Sequence, residues 1–142
     1  MKATPEILLV DDNPADVTLV REALAASPHG TRLHHVEEGD EALAFLRRAG
    51  KHAEAVRPDL VVLDLNLPRK DGRAVLAEVK SDAELRQLPV VVFSTSNARA
   101  DIRRSYELGA NCYVRKPGNL ADFFAAVQSI EEFWFDFASL PH

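Results

Sequence analysis

Five short apolar runs divide the chain. Three are continuous stretches of Val, Leu, Ile or Phe at 7–10, 60–63 and 90–93, and two are more mixed, at 33–36 and 112–114. Continuous apolar runs of this length are typical of strands that are covered on both faces, as the strands of a parallel sheet are. The pattern therefore predicts five β-strands.

Helical patterns separate these runs. Asn13 followed by Pro14 is a capping residue and a first-turn proline, and it predicts a helix that extends to Ser27. Gly109 is expected to end the fourth of the five predicted helices. The other four helices follow from apolar residues at three- and four-residue steps, over about 40–48, 73–79, 98–108 and 120–130.

The alternation of strands and helices predicts a three-layer α/β fold. Its parallel sheet has right-handed crossovers and helices on both faces. In such folds the binding site lies at the carboxyl ends of the strands. The connection 49–58 is longer than usual, so we expect a helical extension or a mobile loop there. A length of 142 residues suits one domain, 1–142.

Composition removes several classes of function. A net charge of −5 disfavours binding to nucleic acid. No apolar run approaches the ~18 residues of a membrane span, and the first residues lack the apolar core of a signal peptide. A single cysteine, Cys112, excludes an internal disulfide framework and a cysteine metal cluster. We therefore expect a cytoplasmic protein that binds neither membranes nor nucleic acid.

Three carboxylates follow predicted strands. Asp11 and Asp12 come directly after the first strand, and Asp64 comes after the third. Like charges that converge on one sheet edge raise one another's pKa, and a hard cation with oxygen ligands relieves this repulsion. Magnesium fits best. The alternative is that Asp11 and Asp12 cap the first helix, while Asp64 begins a turn.

Hydroxyls and a cation are predicted at the same edge. Ser94-Thr95-Ser96 follows the fourth strand, and Lys116 follows the fifth. Carboxylates, a divalent metal, a hydroxyl donor and a lysine together suit a phosphoryl group, with Asp64 as the nucleophile. Taken separately, the serines and threonine are more often a helix cap, and a lysine is more often a surface charge.

In these positions the chain resembles a two-component response-regulator receiver domain. The resemblance covers about 7–130 and depends on five dispersed positions in the family's order. It implies a flavodoxin-like receiver fold, with a five-stranded parallel sheet of order 2-1-3-4-5. The positions are Asp11-Asp12, Asp64 within Leu-Asp-Leu-Asn-Leu-Pro, Thr95 and Lys116-Pro117.

The resemblance also implies a function. Asp64 would accept a phosphoryl group from a phosphohistidine on a sensor histidine kinase. Asp12, Asp64 and the main-chain carbonyl of Asn66 would hold Mg²⁺, with Asp11 acting directly or through water, and Lys116 would pair with the phosphoryl oxygens. Such a protein is not an enzyme with a separate substrate, because it catalyses only its own phosphorylation and slow dephosphorylation.

A conformational switch is implied as well. Thr95 would move toward the phosphoryl group and Tyr113 would swing inward, although an arbitrary strand tyrosine is more often a half-buried structural residue. The surface formed by helix four, strand five and helix five would be the readout. Asn66 and Asn97, each two residues beyond a functional position, would tune the lifetime of the phosphoryl group.

The C-terminal extension 133–142 goes beyond a minimal receiver. Aromatic residues are favoured at the cores of interfaces, so we expect an interface arm and a symmetric homodimer through helix five. An arm that folds back on its own domain is the alternative. The extension and the long connection 49–58 resemble single-domain regulators of bacterial phytochrome kinases. The predicted interface residues are Phe133, Trp134, Phe135 and Phe137.

Three other functions compete with this one. A haloacid-dehalogenase-type phosphatase also uses a strand-end aspartate with magnesium, but it needs a second aspartate where Asn66 stands. A flavodoxin-like electron carrier needs a Ser-, Thr- and Gly-rich first loop, whereas the acidic segment 11–16 would repel a flavin phosphate. A phosphorylation-independent scaffold with the receiver fold is disfavoured by the complete set of site residues.

Overall fold

A computed structural model of the chain describes residues 4–141. Residues 1–3 and 142, which the predicted domain and C-terminal extension include, lie outside the described residues. Five parallel strands form one sheet in the order β2-β1-β3-β4-β5, so the predicted α/β fold and strand order are confirmed. The strands are β1 Glu6–Val10, β2 Arg32–Val36, β3 Leu60–Leu63, β4 Val90–Ser94 and β5 Cys112–Arg115.

Five helices occupy the predicted places, with ends that differ from the predictions by at most two residues. The helices are α1 Pro14–Ala25, α2 Gly39–Arg47, α3 Gly72–Ser81, α4 Arg99–Glu107 and α5 Leu120–Glu132. The long connection contains a 3-10 turn at Gly50–His52, which confirms the helical extension. Across residues 4–141, every helix is too short or too polar to cross a bilayer.

Local sequence sets the helix ends. The side chain of Asn13 accepts hydrogen bonds from two backbone N–H groups of the first turn of α1, and Pro14 is the first helical residue. Asn119 caps α5 in the same way. Gly109 follows α4 with φ +105°, the left-handed conformation that ends many helices and that glycine adopts without strain.

The sheet is buried on both faces. Alternate residues of each strand point to opposite faces, so Leu8 and Val10 pack with α2 and α3, whereas Ile7 and Leu9 pack with α1 and α5. This two-sided burial explains why the strands appear in the sequence as continuous apolar runs. The carboxyl edge of the sheet stays free for polar chemistry.

The aromatic residues of the C-terminal extension separate into buried and exposed groups. A π-helical turn at 133–137 continues α5. It buries Phe135 in the core of its own domain and leaves Trp134 half-buried. Phe133 and Phe137 are 54% and 73% exposed. Phe135 thus packs inward, as the folded-back alternative requires, and the interface role of the extension stays a prediction.

Polar contacts hold this turn against the loop between α1 and β2. Nε2 of His29 lies 2.9 Å from Oδ1 of Asp136, and its Nδ1 lies 3.6 Å from Oε1 of Glu131. Glu131 is buried, and its other carboxylate oxygen accepts a hydrogen bond from Thr31 Oγ1 at 2.5 Å. The extension is thus anchored at its start to its own domain.

Candidate functional site

The carboxyl ends of β1 and β3 bring three carboxylates together. Val10 pairs with Leu63, so the residues that follow them, Asp11 and Asp64, are neighbours across the edge of the sheet. Oxygen atoms of Asp11, Asp12 and Asp64 all lie within 4.8 Å of one another. We call these three residues the carboxylate cluster. Their convergence, expected from the strand ends, is what the structure shows.

Each buried carboxylate of the cluster has one oxygen fixed by its own loop. Oδ1 of Asp11 accepts the backbone N–H of Asn13 at 2.9 Å, and Oδ1 of Asp64 accepts that of Leu65 at 2.7 Å. Asp11 is 1% exposed and Asp64 9% exposed, whereas Asp12 faces solvent. The cluster is therefore rigid at its base and open at Asp12.

Lys116 supplies the cation of the site. Its Nζ donates to Asp11 Oδ2 at 2.8 Å and to Asp64 Oδ2 at 2.9 Å, and the side chain is almost fully buried. The backbone N–H of Lys116 donates to Ser94 O at 2.7 Å, which fixes the residue beyond the end of β5. The alternative interpretation of Lys116 as a surface charge is therefore wrong.

Asp16 is a site residue that the sequence reasoning did not identify. It lies in the first turn of α1, and its Oδ2 accepts a hydrogen bond from Lys116 Nζ at 2.8 Å. The available signal was its place in the first turn of a helix that starts two residues after the Asp11-Asp12 pair. Lys116 thus contacts three carboxylates, of which two belong to the carboxylate cluster.

Charge and burial act in opposite directions on these groups. Burial alone lowers the pKa of Lys116, but the hydrogen bonds that it donates to Asp11 and Asp16 outweigh this effect, and the pKa lies above the ordinary lysine value. Burial raises the pKa of Asp11, and the hydrogen bond from Lys116 offsets this only in part. The lysine therefore stays charged. Burial destabilises the ionised form of Asp11, and a further cation would stabilise it.

Gly72 lets the loop after β3 close beneath Asp64. Its N–H donates to the carbonyl of Leu65 at 2.8 Å. A Cβ built at this position would lie 2.2 Å from the carbonyl oxygen of Asp64 and 2.7 Å from the Cα of Leu65. Only glycine fits this close approach of two backbone segments, and the sequence offered no more than an Asp-Gly pair as its signal.

The remaining predicted residues surround the same edge. Thr95 directly follows β4 and is exposed, as are Asn66 and Asn97. Tyr113 is half-buried on β5, and its hydroxyl donates to the carbonyl of Ser96 at 2.8 Å. The switching role of Thr95 and Tyr113 and the tuning role of the two asparagines stay predictions.

The chemistry of the donor set suits a hard divalent cation. Mg²⁺ and Mn²⁺ prefer oxygen ligands, and the carboxylate cluster offers three carboxylates within reach of one ion, one of them open to solvent. Next to the cluster, the Lys116 ammonium provides fixed positive charge at Oδ2 of Asp64. A divalent cation and the Lys116 ammonium can together neutralise the negative charge of a phosphoryl group at this edge.

Residues 7–128 match the family model of the response regulator receiver domain. The chain belongs to this family.

Known members of the family are similar over nearly the whole chain. Response regulator Rcp1 of Synechocystis sp. (strain PCC 6803) is 48% identical over 135 residues, which cover 95% of this chain and 92% of Rcp1. The structure of the phosphorylated cyanobacterial phytochrome response regulator RcpA matches with a TM-score of 0.95 and 53% identity, covering 99% and 100% of the two chains. The Mn²⁺-bound form of Rcp1 matches with a TM-score of 0.92 and 47% identity, covering 97% and 99%.

Proposed function

We propose that this chain is a phosphorelay switch that receives a phosphoryl group on Asp64 from a sensor histidine kinase. The observation that carries the proposal is the environment of Asp64: one oxygen is held by Lys116 at 2.9 Å, and the carboxylate lies within the three-member carboxylate cluster. The chain catalyses only its own phosphorylation and dephosphorylation and turns over no separate substrate.

The transfer uses groups that are already in place. A carboxylate oxygen of Asp64 forms a bond to phosphorus as the bond between phosphorus and the kinase histidine nitrogen breaks, which gives an acyl phosphate. Asp11, Asp12, Asp64 and the main-chain carbonyl of Asn66 would hold Mg²⁺, which would supply positive charge for the phosphoryl oxygens. Lys116 pairs with a phosphoryl oxygen as its contact with Asp64 is exchanged.

The added charge drives the switch. A phosphoryl group brings about −1.5 to −2 charges and three acceptor oxygens, so it attracts donors such as the hydroxyl of Thr95. Tyr113 then moves inward, and the surface of α4, β5 and α5 changes. Asn66 and Asn97 lie at the solvent side of the edge and tune access of water to the phosphoryl group.

The proposed kinase is a bacteriophytochrome. RcpA, which is 53% identical, is a phytochrome response regulator, and its structure superposes on 99% of this chain. We also propose that this chain acts in the cytoplasm. Transfer of phosphate from a phosphorylated bacteriophytochrome, compared with an unrelated histidine kinase, tests this assignment.

The homodimer is also a proposal. The exposed faces of Phe133 and Phe137, with half-buried Trp134 between them, form an apolar patch at the end of α5. Phe133 and Trp134 stack edge to face, with ring centroids 5.2 Å apart. The extension 133–142 then serves as an interface arm, with Phe135 anchoring it from inside.

Labelling of an Asp64→Asn variant tests the acceptor. The wild-type chain should take up one phosphoryl group from acetyl phosphate with Mg²⁺, and Asp64→Asn should take up none while staying folded. Asp40→Asn removes an exposed carboxylate from the first turn of α2 and serves as the control. Retained labelling of Asp64→Asn would show that Asp64 is not the acceptor. An unlabelled wild type would favour the phosphorylation-independent scaffold.

A further inference from the structure

Helix α4 is attached to the body of the protein mainly by polar contacts. Its only buried residue among those described is Ser105, whose hydroxyl bonds to the carbonyl of Asp101 in the same helix. Ile102 and the adjoining Leu108 are only half-buried. A helix with so little apolar contact is positioned by its hydrogen bonds and ion pairs, and it can move when these change.

A chain of short polar contacts fixes the first turn of α4. Ser96 Oγ donates to Asp101 Oδ2 at 2.6 Å, and Arg73 Nη2 donates to Asp101 Oδ1 at 2.7 Å. Arg73 in turn contacts both carboxylate oxygens of Asp71, the residue that caps α3. Asp101 therefore ties the start of α4 to two loops, the one after β4 and the one that ends at α3.

Both loops lead directly to the phosphoryl-accepting edge. Ser96 follows Thr95, and Gly72, which precedes Arg73, packs its backbone against the carbonyl of Asp64. The carbonyl of Ser96 also accepts the hydroxyl of Tyr113 at 2.8 Å. Displacement of Thr95 toward a phosphoryl group displaces Ser96 too, because neighbouring Cα atoms are held about 3.8 Å apart.

The charges of the contact reinforce it. The hydrogen bonds from Ser96 and then from Arg73 hold the pKa of the Asp101 carboxyl below its ordinary value. The hydrogen bond to Asp101 raises the pKa of Arg73. Both hydrogen bonds to the Asp101 carboxylate are charge-assisted, so their loss during a movement of the loop costs free energy that the phosphoryl group must offset.

We propose that Ser96 is a positioning residue that, through its hydroxyl bond to Asp101, holds the β4–α4 loop and α4 in the resting conformation. This inference rests on the proposed function. In this proposal switching breaks the bond between Ser96 and Asp101, so the bond opposes phosphorylation and its removal shifts the population toward the switched state. A ligand that selects the switched state then binds more tightly, in proportion to the gain in that population.

Beryllofluoride, a phosphoryl analogue, tests the proposal in the presence of Mg²⁺. Titration of the full chain, followed by amide NMR, gives a midpoint concentration for each variant. We expect Ser96→Ala and Asp101→Asn each to lower the midpoint about three- to tenfold. Ser96→Thr keeps a hydroxyl and should stay near the wild type. Ser81→Ala is the control, because the Ser81 hydroxyl bonds only to backbone carbonyls of α3.

A double variant tests whether the two residues act through one bond. Ser96→Ala with Asp101→Asn should lower the midpoint no further than the stronger single variant, because the same contact is lost. In the absence of beryllofluoride, Ser96→Ala should also speed hydrogen exchange in α4 and leave α3 unchanged. A residue with a merely structural role would instead raise the midpoint.

The outcomes separate the inference from the proposed function. If the wild type responds to beryllofluoride and Ser96→Ala has an equal or higher midpoint, the inference about Ser96 is wrong and the proposed function stands. If the wild type shows no response with Mg²⁺, the proposed function is contradicted and the inference falls with it. If Ser96→Thr behaves like Ser96→Ala, the hydroxyl bond is not the cause.

Discussion

Lys116 binds carboxylates that would otherwise repel one another. Its Nζ lies 2.8 to 2.9 Å from oxygens of Asp11, Asp16 and Asp64. Because Asp11 is 1% exposed, water cannot replace the lysine as its partner. At the scale of single residues, the stability and the chemistry of the site therefore depend on the same ammonium group.

Lys116→Met should destabilise the fold. It leaves a buried carboxylate without its counter-charge, a change that typically costs about 3–5 kcal/mol in free energy of unfolding. Urea denaturation measures this loss, and added Mg²⁺ should restore more stability to the variant than to the wild type. Lys51→Met, at an exposed lysine, should change stability by less than about 0.5 kcal/mol. Equal stabilities of the two variants would contradict the account.

Asp101 gives the fold a pH-dependent contribution. Its pKa is lower in the folded protein than its ordinary value, because Ser96 and Arg73 bond to it. A depressed carboxyl pKa stabilises the fold above the ordinary range near pH 4, and this contribution is lost as the pH falls through the folded-state pKa.

Asp101→Asn should therefore be less stable than the wild type at pH 7, and the two should converge toward pH 3. Urea midpoints at both pH values measure the difference. Asp40→Asn makes the same change in net charge and is the control for the general effect of that charge. A gap that stays constant or widens toward pH 3 would show that the ionised form of Asp101 is not what stabilises the fold.

Some site residues could be predicted from the sequence and others could not. Asp11, Asp64 and Lys116 directly follow apolar strands, and parallel strands bring such positions to one edge whatever the details of packing. Asp16 contacts Lys116 only because α1 has a particular rotation. The bond from Ser96 to Asp101 depends on the path of a loop. Neither a helix rotation nor a loop path is encoded in hydrophobic periodicity.

At the scale of secondary-structure elements, the conformation of the loop after β3 depends on Gly72. Gly72→Ala should destabilise the protein by about 1–3 kcal/mol or more, because the new methyl group meets backbone atoms that cannot rotate away. Thermal unfolding measures the effect. Gly118→Ala places a Cβ with no atom within 4 Å, so it should leave stability nearly unchanged. Similar effects at the two positions would contradict the close approach beneath Asp64.

The C-terminal extension is anchored to its domain by one buried ring, Phe135. Phe135→Ala should lower the free energy of unfolding by about 3–5 kcal/mol, because Phe135 is buried in the core. Phe137→Ala, at a 73% exposed ring, should change it by no more than about 0.5 kcal/mol. Urea denaturation of the two variants is the measurement, and a small effect of Phe135→Ala would show that the extension is not anchored.

The elements were easier to predict than the extension. β1, β3 and β4 are covered on both faces, so burial leaves a continuous apolar run in the sequence. The extension has four aromatics in five residues, a pattern without helical or strand period. Which ring faces inward follows from the π-helical turn, so the burial of Phe135 could not be predicted from the sequence.

Self-association belongs to the scale of the whole molecule. If the exposed rings of the extension form the dimer interface, Phe133→Ser with Phe137→Ser should convert a dimer to a monomer at micromolar concentration. The double variant should keep the urea midpoint of the wild-type monomer, because both rings are exposed. Sedimentation velocity measures the mass. A wild type that is already monomeric, or a variant that stays dimeric, would contradict the interface.

The arrangement of the whole sheet explains why one edge has all the chemistry. Strand order reverses between β1 and β3, so the loops after these strands diverge and leave room above Asp11 and Asp64. β4 and β5 then place Thr95 and Lys116 along the same edge. The fold thus concentrates three carboxylates, a hydroxyl and a cation within one loop cluster.

The intact mass of the protein after incubation with acetyl phosphate tests the central claim most directly. With Mg²⁺ the wild-type chain should gain one phosphoryl group, about 80 Da, and with a chelator in place of the metal it should gain none. Asp64→Asn should gain none under either condition. A wild type with no gain in the presence of Mg²⁺, or an equal gain with chelator, would contradict a metal-dependent phosphoryl switch at Asp64.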